Sequence, residues 1–205
     1  MSNPSVKFCL FRVSLLLVAG WLLIALPVSA SEWNLARLMQ TQKEQGARQT
    51  RFIETRTLAI LDQPIEQRGI LRFEPPDRLI RSLDPPSDLR AEIDGNRLTL
   101  WQGQSLKQTL LLDNVPELLA FSASFRAILG GDLETLQRYF QINLEGVEQA
   151  WVMKLTPRHE GLAARIEQIT IEGHSGVILR YTTLETGGDL TLTRLQPPGS
   201  QAGPD

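Results

Sequence analysis

The sequence predicts a mainly β protein, an antiparallel sheet curled into a barrel or close to one, with helices laid against it. Three observations carry this. Short alternating or β-branched stretches recur at regular spacing, turns rich in proline and glycine separate them, and one apolar helical insert interrupts the series.

Residues 32–43 place Leu35, Leu38 and Met39 at helical spacing among polar neighbours, an amphipathic helix. The period then drops to two. Residues 52–60 alternate and are broken by Asp62-Gln63-Pro64, a strand and a turn. Gly69-Ile70-Leu71-Arg72-Phe73 is a second strand, ended at Pro75-Pro76-Asp77 because proline has no N–H for a ladder and restricts the residue before it. Residues 78–83 resume the pattern until Pro85-Pro86. Ala91-Glu92-Ile93 turns through Asp94-Gly95-Asn96 into residues 97–101, a hairpin, and Gln102-Gly103-Gln104 leads to a strand over 108–112. The first half therefore reads as an antiparallel meander.

The insert begins at Pro116, suited to a first helical turn, and stops at Gly130-Gly131. Leu118, Leu119, Ser122, Phe125, Ile128 and Leu129 share one side of it. Asp132 caps a second short helix over 132–140 carrying Leu133, Leu136, Tyr139 and Phe140. Strands return over 149–155, 164–171, 177–183 and 189–195, and a disordered tail rich in proline, glycine and serine is expected over 197–205.

Residues 1–30 have the make-up of a secretory signal peptide: Lys7 and Arg12, an apolar stretch over 13–26, then Pro27-Val28-Ser29-Ala30, with cleavage expected after Ala30. Cys9 is the only cysteine, and Ser31 stands where a lipid-anchored protein would carry one, so the mature chain is expected to be free of disulfides and lipid. Its length suits one domain, residues 31–196, held together by burial. Without Lys7 and Arg12 the 21 basic residues become 19 against 23 acidic ones, a formal charge of −4. That balance argues against a nucleic-acid or anionic-membrane surface, both of which want a concentrated basic stripe.

The groups that enzymes use are scarce. His159 and His174 sit in separate turn segments where solvent satisfies an imidazole, and no Gly-x-Ser-x-Gly elbow or phosphate-cradling glycine loop is present. The chain is expected to be no enzyme, with no catalytic residue, metal or cofactor. Apolar side chains are what it offers. On a curled sheet Phe52, Leu71, Phe73, Leu98, Leu100, Leu155, Ile169 and Leu179 are expected on the concave side, with arginines, threonines and glutamates turned to water. The same residues could instead fill a dry core with the insert packed on it, and a one-residue slip would invert any strand's faces.

Several stretches in order resemble the LolA-like lipoprotein carrier family: Phe52-Ile53-Glu54, the run from Gly69 through Pro75-Pro76-Asp77-Arg78-Leu79, Asp94-Gly95-Asn96-Arg97-Leu98, Leu155-Thr156-Pro157, and Glu185-Thr186-Gly187-Gly188-Asp189-Leu190-Thr191. The resemblance implies a half-open antiparallel β-barrel with an α-helical lid, and a cavity that shields acyl chains in the periplasm. The cavity set would be the eight concave-side residues above. The lid would comprise Leu35, Leu38 and Met39 of the first helix with Leu118, Leu119, Phe125, Ile128 and Leu129 of the insert. It further implies acylated lipid or lipoprotein cargo, an inner-membrane donor, an outer-membrane acceptor and a monomer that binds no nucleic acid. Pro75, preceded by Glu74, stands where the family carriers have an arginine that helps hold the lid, so the lid here must be held differently. The chain more closely resembles a divergent branch linked to export of other acylated or polyene lipids. A sensor or accessory subunit on the same fold is the alternative, and a hydrolase using His159 or His174 a third.

Overall fold

A computed structural model describes residues 33–197. The signal peptide expected over residues 1–30 and the tail beyond Pro197 lie outside the described residues.

The chain begins with α1 (Leu35–Gln45), whose first turn is closed by Asn34: its side-chain oxygen accepts from the Arg37 N–H at 3.0 Å. A meander follows: β1 (Arg48–Thr57), β2 (Ile65–Glu74), β3 (Arg78–Leu83), β4 (Leu89–Asp94), β5 (Arg97–Gln102) and β6 (Ser105–Leu111). The insert is α2 (Pro116–Gly130) and α3 (Leu133–Tyr139). Gly131 ends α2 in the left-handed region at φ 69°, and Asp132 caps α3 by accepting from the Thr135 N–H. A second meander completes the chain: β7 (Phe140–Val147), β8 (Ala150–Pro157), a turn of helix α4 (Glu160–Ala163), β9 (Ile166–His174), β10 (Val177–Glu185) and β11 (Leu190–Leu195).

All of these strands join one antiparallel sheet in the order β6-β5-β4-β3-β2-β1-β11-β10-β9-β8-β7. The seam between the two meanders is β1 against β11, with Phe52 opposite Leu195 and Glu54 opposite Thr193. The sheet curls without closing, a half-open barrel, and β6 and β7 are its free edges. The insert is the only covalent link between those edges, so α2 and α3 must cross from one rim of the sheet to the other. That topology is what places helices over the concave face.

Two strand features differ from the sequence reading. The sequence reading ends a helix at Phe140 and assigns no element over 141–148, yet Phe140, Ile142 and Leu144 alternate with Gln141, Asn143 and Glu145, and the segment pairs with β8 along its whole length. The turn expected over 157–161 holds the short helix α4, which buries Leu162.

The interior divides in two. Under the helices, β7 to β10 pack Trp151, Met153, Leu155, Ile169 and Ile171 against Leu38, Met39, Ile128 and Leu136, with exposures of 3 % or less. On β1 to β3 a smaller cluster gathers Phe52, Leu71, Phe73, Leu79 and Leu83 with Leu129 of α2. Trp151 closes over Gly173, where an added Cβ would collide with the indole and with the Val177 carbonyl. Among the described residues no helix is long and apolar enough to cross a membrane.

Candidate functional site: an apolar cavity beneath the insert helix

Between the second cluster and α2 the concave face is not filled. A cavity of about 400 Å³ remains, within the range of roughly 300–1,000 Å³ typical of small-molecule sites. Its floor is the inward face of the first meander: Phe52 of β1, Leu71 of β2, Leu79 of β3, Ala91 and Ile93 of β4, Leu98 and Leu100 of β5. Its roof is α2, which turns Leu118, Phe121, Phe125, Ile128 and Leu129 toward it. The far wall is Ile178 and Tyr181 of β10 with Leu195 of β11. Phe125 and Tyr181 meet edge to face at 5.0 Å between ring centres, which joins roof to wall.

Of the residues the sequence placed on the concave side, Phe52, Leu71, Leu98 and Leu100 line this cavity. Four stand elsewhere. Leu155 and Ile169 are paired across β8 and β9 and lie fully under the helices, 0 % and 1 % exposed, in the dry core. Phe73 is covered by the end of α2 and borders a separate, wider and more polar recess of about 620 Å³, beside Gln42, Asp77 and Arg126. Leu179 is the extra residue of a bulge: Ile178 is opposite Gly173 and Arg180 opposite Glu172, so the count slips by one and Ile178 takes the wall position.

The helical set divides similarly. Leu118, Phe125, Ile128 and Leu129 line the cavity, whereas Leu119 faces the recess. Leu38 and Met39 are buried in the dry core and Leu35 packs against it, so α1 braces the cover rather than roofing the cavity.

The polar lining departs most from the sequence reading. Glu54, Arg81, Thr183 and Thr193, expected to face water, line the cavity. Arg81 Nη2 lies 2.9 Å from a Glu54 oxygen, the Thr193 hydroxyl donates to the other at 3.3 Å, and the guanidinium sits 4.9 Å from the centre of the Phe52 ring. Tyr181 is 7 % exposed, with its hydroxyl buried beside Thr183. Burial pushes the phenol well above the ordinary tyrosine range, with the neighbouring Thr183 acting in the other direction, so it stays a donor. Strand alternation from Phe52 to Glu54 was the available signal, and their charge concealed it.

Two arginines fasten the cover. Arg126 of α2 donates to the carbonyls of Asp77, at 3.0 Å, and Gly95, at 2.7 Å, pinning α2 to the turns that end β2 and β4. Burial lowers its pKa, with Asp77 opposing. Arg48 of β1 donates to the Gln42 carbonyl, to Gln42 Oε1 and to the Leu129 carbonyl, joining α1 to the end of α2, and burial lowers its pKa to about 10. Gln42 and Gln45 in turn donate to the Gly176 carbonyl in the β9–β10 turn. Glu74, before the Pro75 position, pairs with Arg78 at 2.8 Å instead of holding a helix.

The histidines lie apart. His159 precedes α4, its Nε2 3.0 Å from the Arg138 carbonyl, and His174 closes β9 at the opposite end of that strand. Neither lines the cavity. Among the described residues no three His, Cys, Asp or Glu side chains gather as a metal site would need.

Residues 27–202 match the family model described as outer membrane lipoprotein carrier protein LolA-like. Among solved structures, a LolA superfamily protein from Nitrosomonas europaea aligns with a TM-score of 0.42 at 12% identity, covering 80% of this chain and 92% of that one. The MucA/MucB complex of Pseudomonas aeruginosa aligns at 0.42 with 18% identity, over 82% of this chain and 59% of that one. Mycobacterium tuberculosis lipoprotein LppX aligns at 0.40 with 8% identity, over 83% and 98%. No curated protein matches the sequence.

Proposed function

The chain belongs to the LolA-like family of outer membrane lipoprotein carriers, and from that premise we propose that it is a periplasmic carrier that shields the acyl part of a lipoprotein or other acylated lipid and delivers it to the outer membrane. The cavity beneath α2 carries this reading. Its floor and roof are apolar, and the space stays open on a sheet whose other half is packed to less than a few per cent exposure. Each acyl methylene moved there from water gains roughly 0.8 kcal/mol, so even one chain supplies ample affinity without a covalent bond.

Release needs the opposite property. A cover fastened by a few hydrogen bonds from Arg126 and Arg48, and by no covalent link, can part and reform, each bond from a charged guanidinium contributing about 1.5–3 kcal/mol net. The protein acts as a monomer, takes cargo from an inner-membrane donor and passes it to an outer-membrane acceptor. It needs no cofactor and performs no chemistry.

The test is saturable uptake of an apolar fluorescent dye by the purified protein. Leu100→Glu, on the half-buried cavity floor, is expected to abolish uptake with an unchanged far-ultraviolet circular dichroism spectrum. Failure of the dye and of every acyl ligand tried to bind the unaltered protein would overturn the reading.

A further inference from the structure

The apolar side chains that the fold leaves in water are unevenly placed. The end of β1 and the starts of β2 and β11 share one rim of the sheet with the end of β10, since Arg56 is opposite Ile65, Thr57 opposite Leu190, and Leu184 opposite Leu190. The β1–β2 turn on that rim carries Ile60, 88 % exposed, with Leu61 and Ile65 also exposed, and Leu190 of β11 is exposed beside it. On the opposite rim Leu111 and Val147 each stand at the end of an edge strand. A single exposed apolar residue is ordinary, but a group of them on one tip is not. The turn is also built rather than loose: the Leu61 N–H donates to the Leu58 carbonyl at 3.0 Å, and the Ala59 N–H to the Asp189 carboxylate at 2.8 Å, which ties it to the β10–β11 turn.

We infer that this turn is a membrane-docking tip, which seats Ile60 and Leu61 in the interfacial zone of a zwitterionic lipid bilayer while cargo passes at the cavity end beside it. The assignment rests on the carrier reading above. The cavity reaches the same rim, because Thr191 next to Leu190, Glu185 at the end of β10 and the exposed Arg165 just before β9 belong to its lining. With the tip docked, an acyl chain leaving there meets hydrocarbon after little exposure to water. Charge selects the surface. Over residues 57–67 the only charged side chains are Asp62 and Glu66, the latter paired with Arg68 at 3.1 Å, and Asp189 anchors the turn, so nothing in the turn itself attracts an anionic bilayer. A convex apolar tip needs no preformed pocket in a fluid surface. Ile60 and Leu61 together carry less hydrocarbon than one myristoyl chain, whose membrane binding is itself reversible at roughly 10⁴ M⁻¹, so the docking is transient, as a shuttle requires.

The experiment is cosedimentation of the mature protein with phosphatidylcholine vesicles, with and without added phosphatidylglycerol and at low and high salt. Weak saturable binding is expected, changed less than about twofold by salt or by the anionic lipid. The double variant Ile60→Ser/Leu61→Ser should weaken it at least about tenfold, and Val147→Ser on the other rim less than about twofold. Dye affinity should be unchanged in both, since none of these residues lines the cavity. Cleavage after Ala30 leaves no cysteine, so Ile60→Cys takes a single polarity-sensitive label, whose emission should shift to the blue on the vesicles. No vesicle binding, binding that survives the double variant, or an equal loss in Val147→Ser would overturn the inference and leave a carrier. So would binding that needs phosphatidylglycerol and is lost in salt, or a dimer formed through the tip in place of vesicle binding. Failure of the unaltered protein to take up dye or any acyl ligand would overturn the carrier reading instead, whatever the vesicles report.

Discussion

The two meanders use the same alternating pattern on the same sheet, yet one interior is solid and the other is open. Behind β8 and β9 most inward side chains meet α1, α2, α3 and α4 and are packed dry, while Ile178 and Tyr181 of β10 already border the open space. In front of β1 to β5 they meet only one face of α2, and space remains. The difference therefore arises in the helices, not in the strands. A strand's alternation decides which side chains point inward, but what they touch there is decided by where the chain's one long crossover lies.

That contrast can be broken in measurable ways. Truncation in the solid half should have the largest effect: Ile169→Ala or Leu155→Ala is expected to cost about 2–5 kcal/mol in denaturant unfolding, with dye affinity of the folded fraction unchanged. A loss below about 1 kcal/mol would mean that this half is loosely packed too. Gly173→Ala sets a Cβ against the Trp151 ring and the Val177 carbonyl, and an overpacking loss of about 1–3 kcal/mol is expected from the same measurement.

In the open half the balance reverses. Leu100→Ala removes atoms that border space, so unfolding should change by only about 1 kcal/mol, whereas the midpoint of dye binding should weaken several-fold. If stability fell as far as in Ile169→Ala, the cavity would be closed in solution.

The smallest effect lies at the junction of α2 and α3. The Thr135 side chain and N–H hold the Asp132 carboxylate below the ordinary aspartate pKa, so the folded value is lower than the unfolded one. The stabilisation is complete above the unfolded value and is lost as pH falls through the folded one. Asp132→Ala should therefore cost about 0.5–2 kcal/mol at neutral pH, toward the lower end for a largely exposed cap, and nothing below the folded pKa. Thermal melts of both proteins across that pH range check the sign.

How much of this was legible in the sequence follows the same division. Turn chemistry marked nearly every strand boundary, because Pro75-Pro76, Pro85-Pro86, Asp94-Gly95 and Gly187-Gly188 leave the chain few alternatives. β7 escaped because it begins directly at the end of α3, with Phe140 serving both elements and no turn residue between them. Inward positions could be counted on β1, β2 and β5 from their apolar residues. They could not on β10, where the bulge at Leu179 leaves no mark in composition, nor at Glu54 and Arg81, whose charge hides an inward position. Whether an inward leucine fills a core or borders a cavity depends on residues far away in the chain. Leu155 and Leu98 look alike locally, and only the path of α2 separates them.

Native mass spectrometry with organic extraction, on the protein purified gently from the envelope of its own organism, tests most directly whether the open half is a cargo site. One bound acyl-bearing molecule per chain, recovered in the extract and absent from Leu100→Glu, is the expected result. A clean unliganded mass that added lipid does not change would contradict it, and would leave the curled sheet with a cavity that carries nothing.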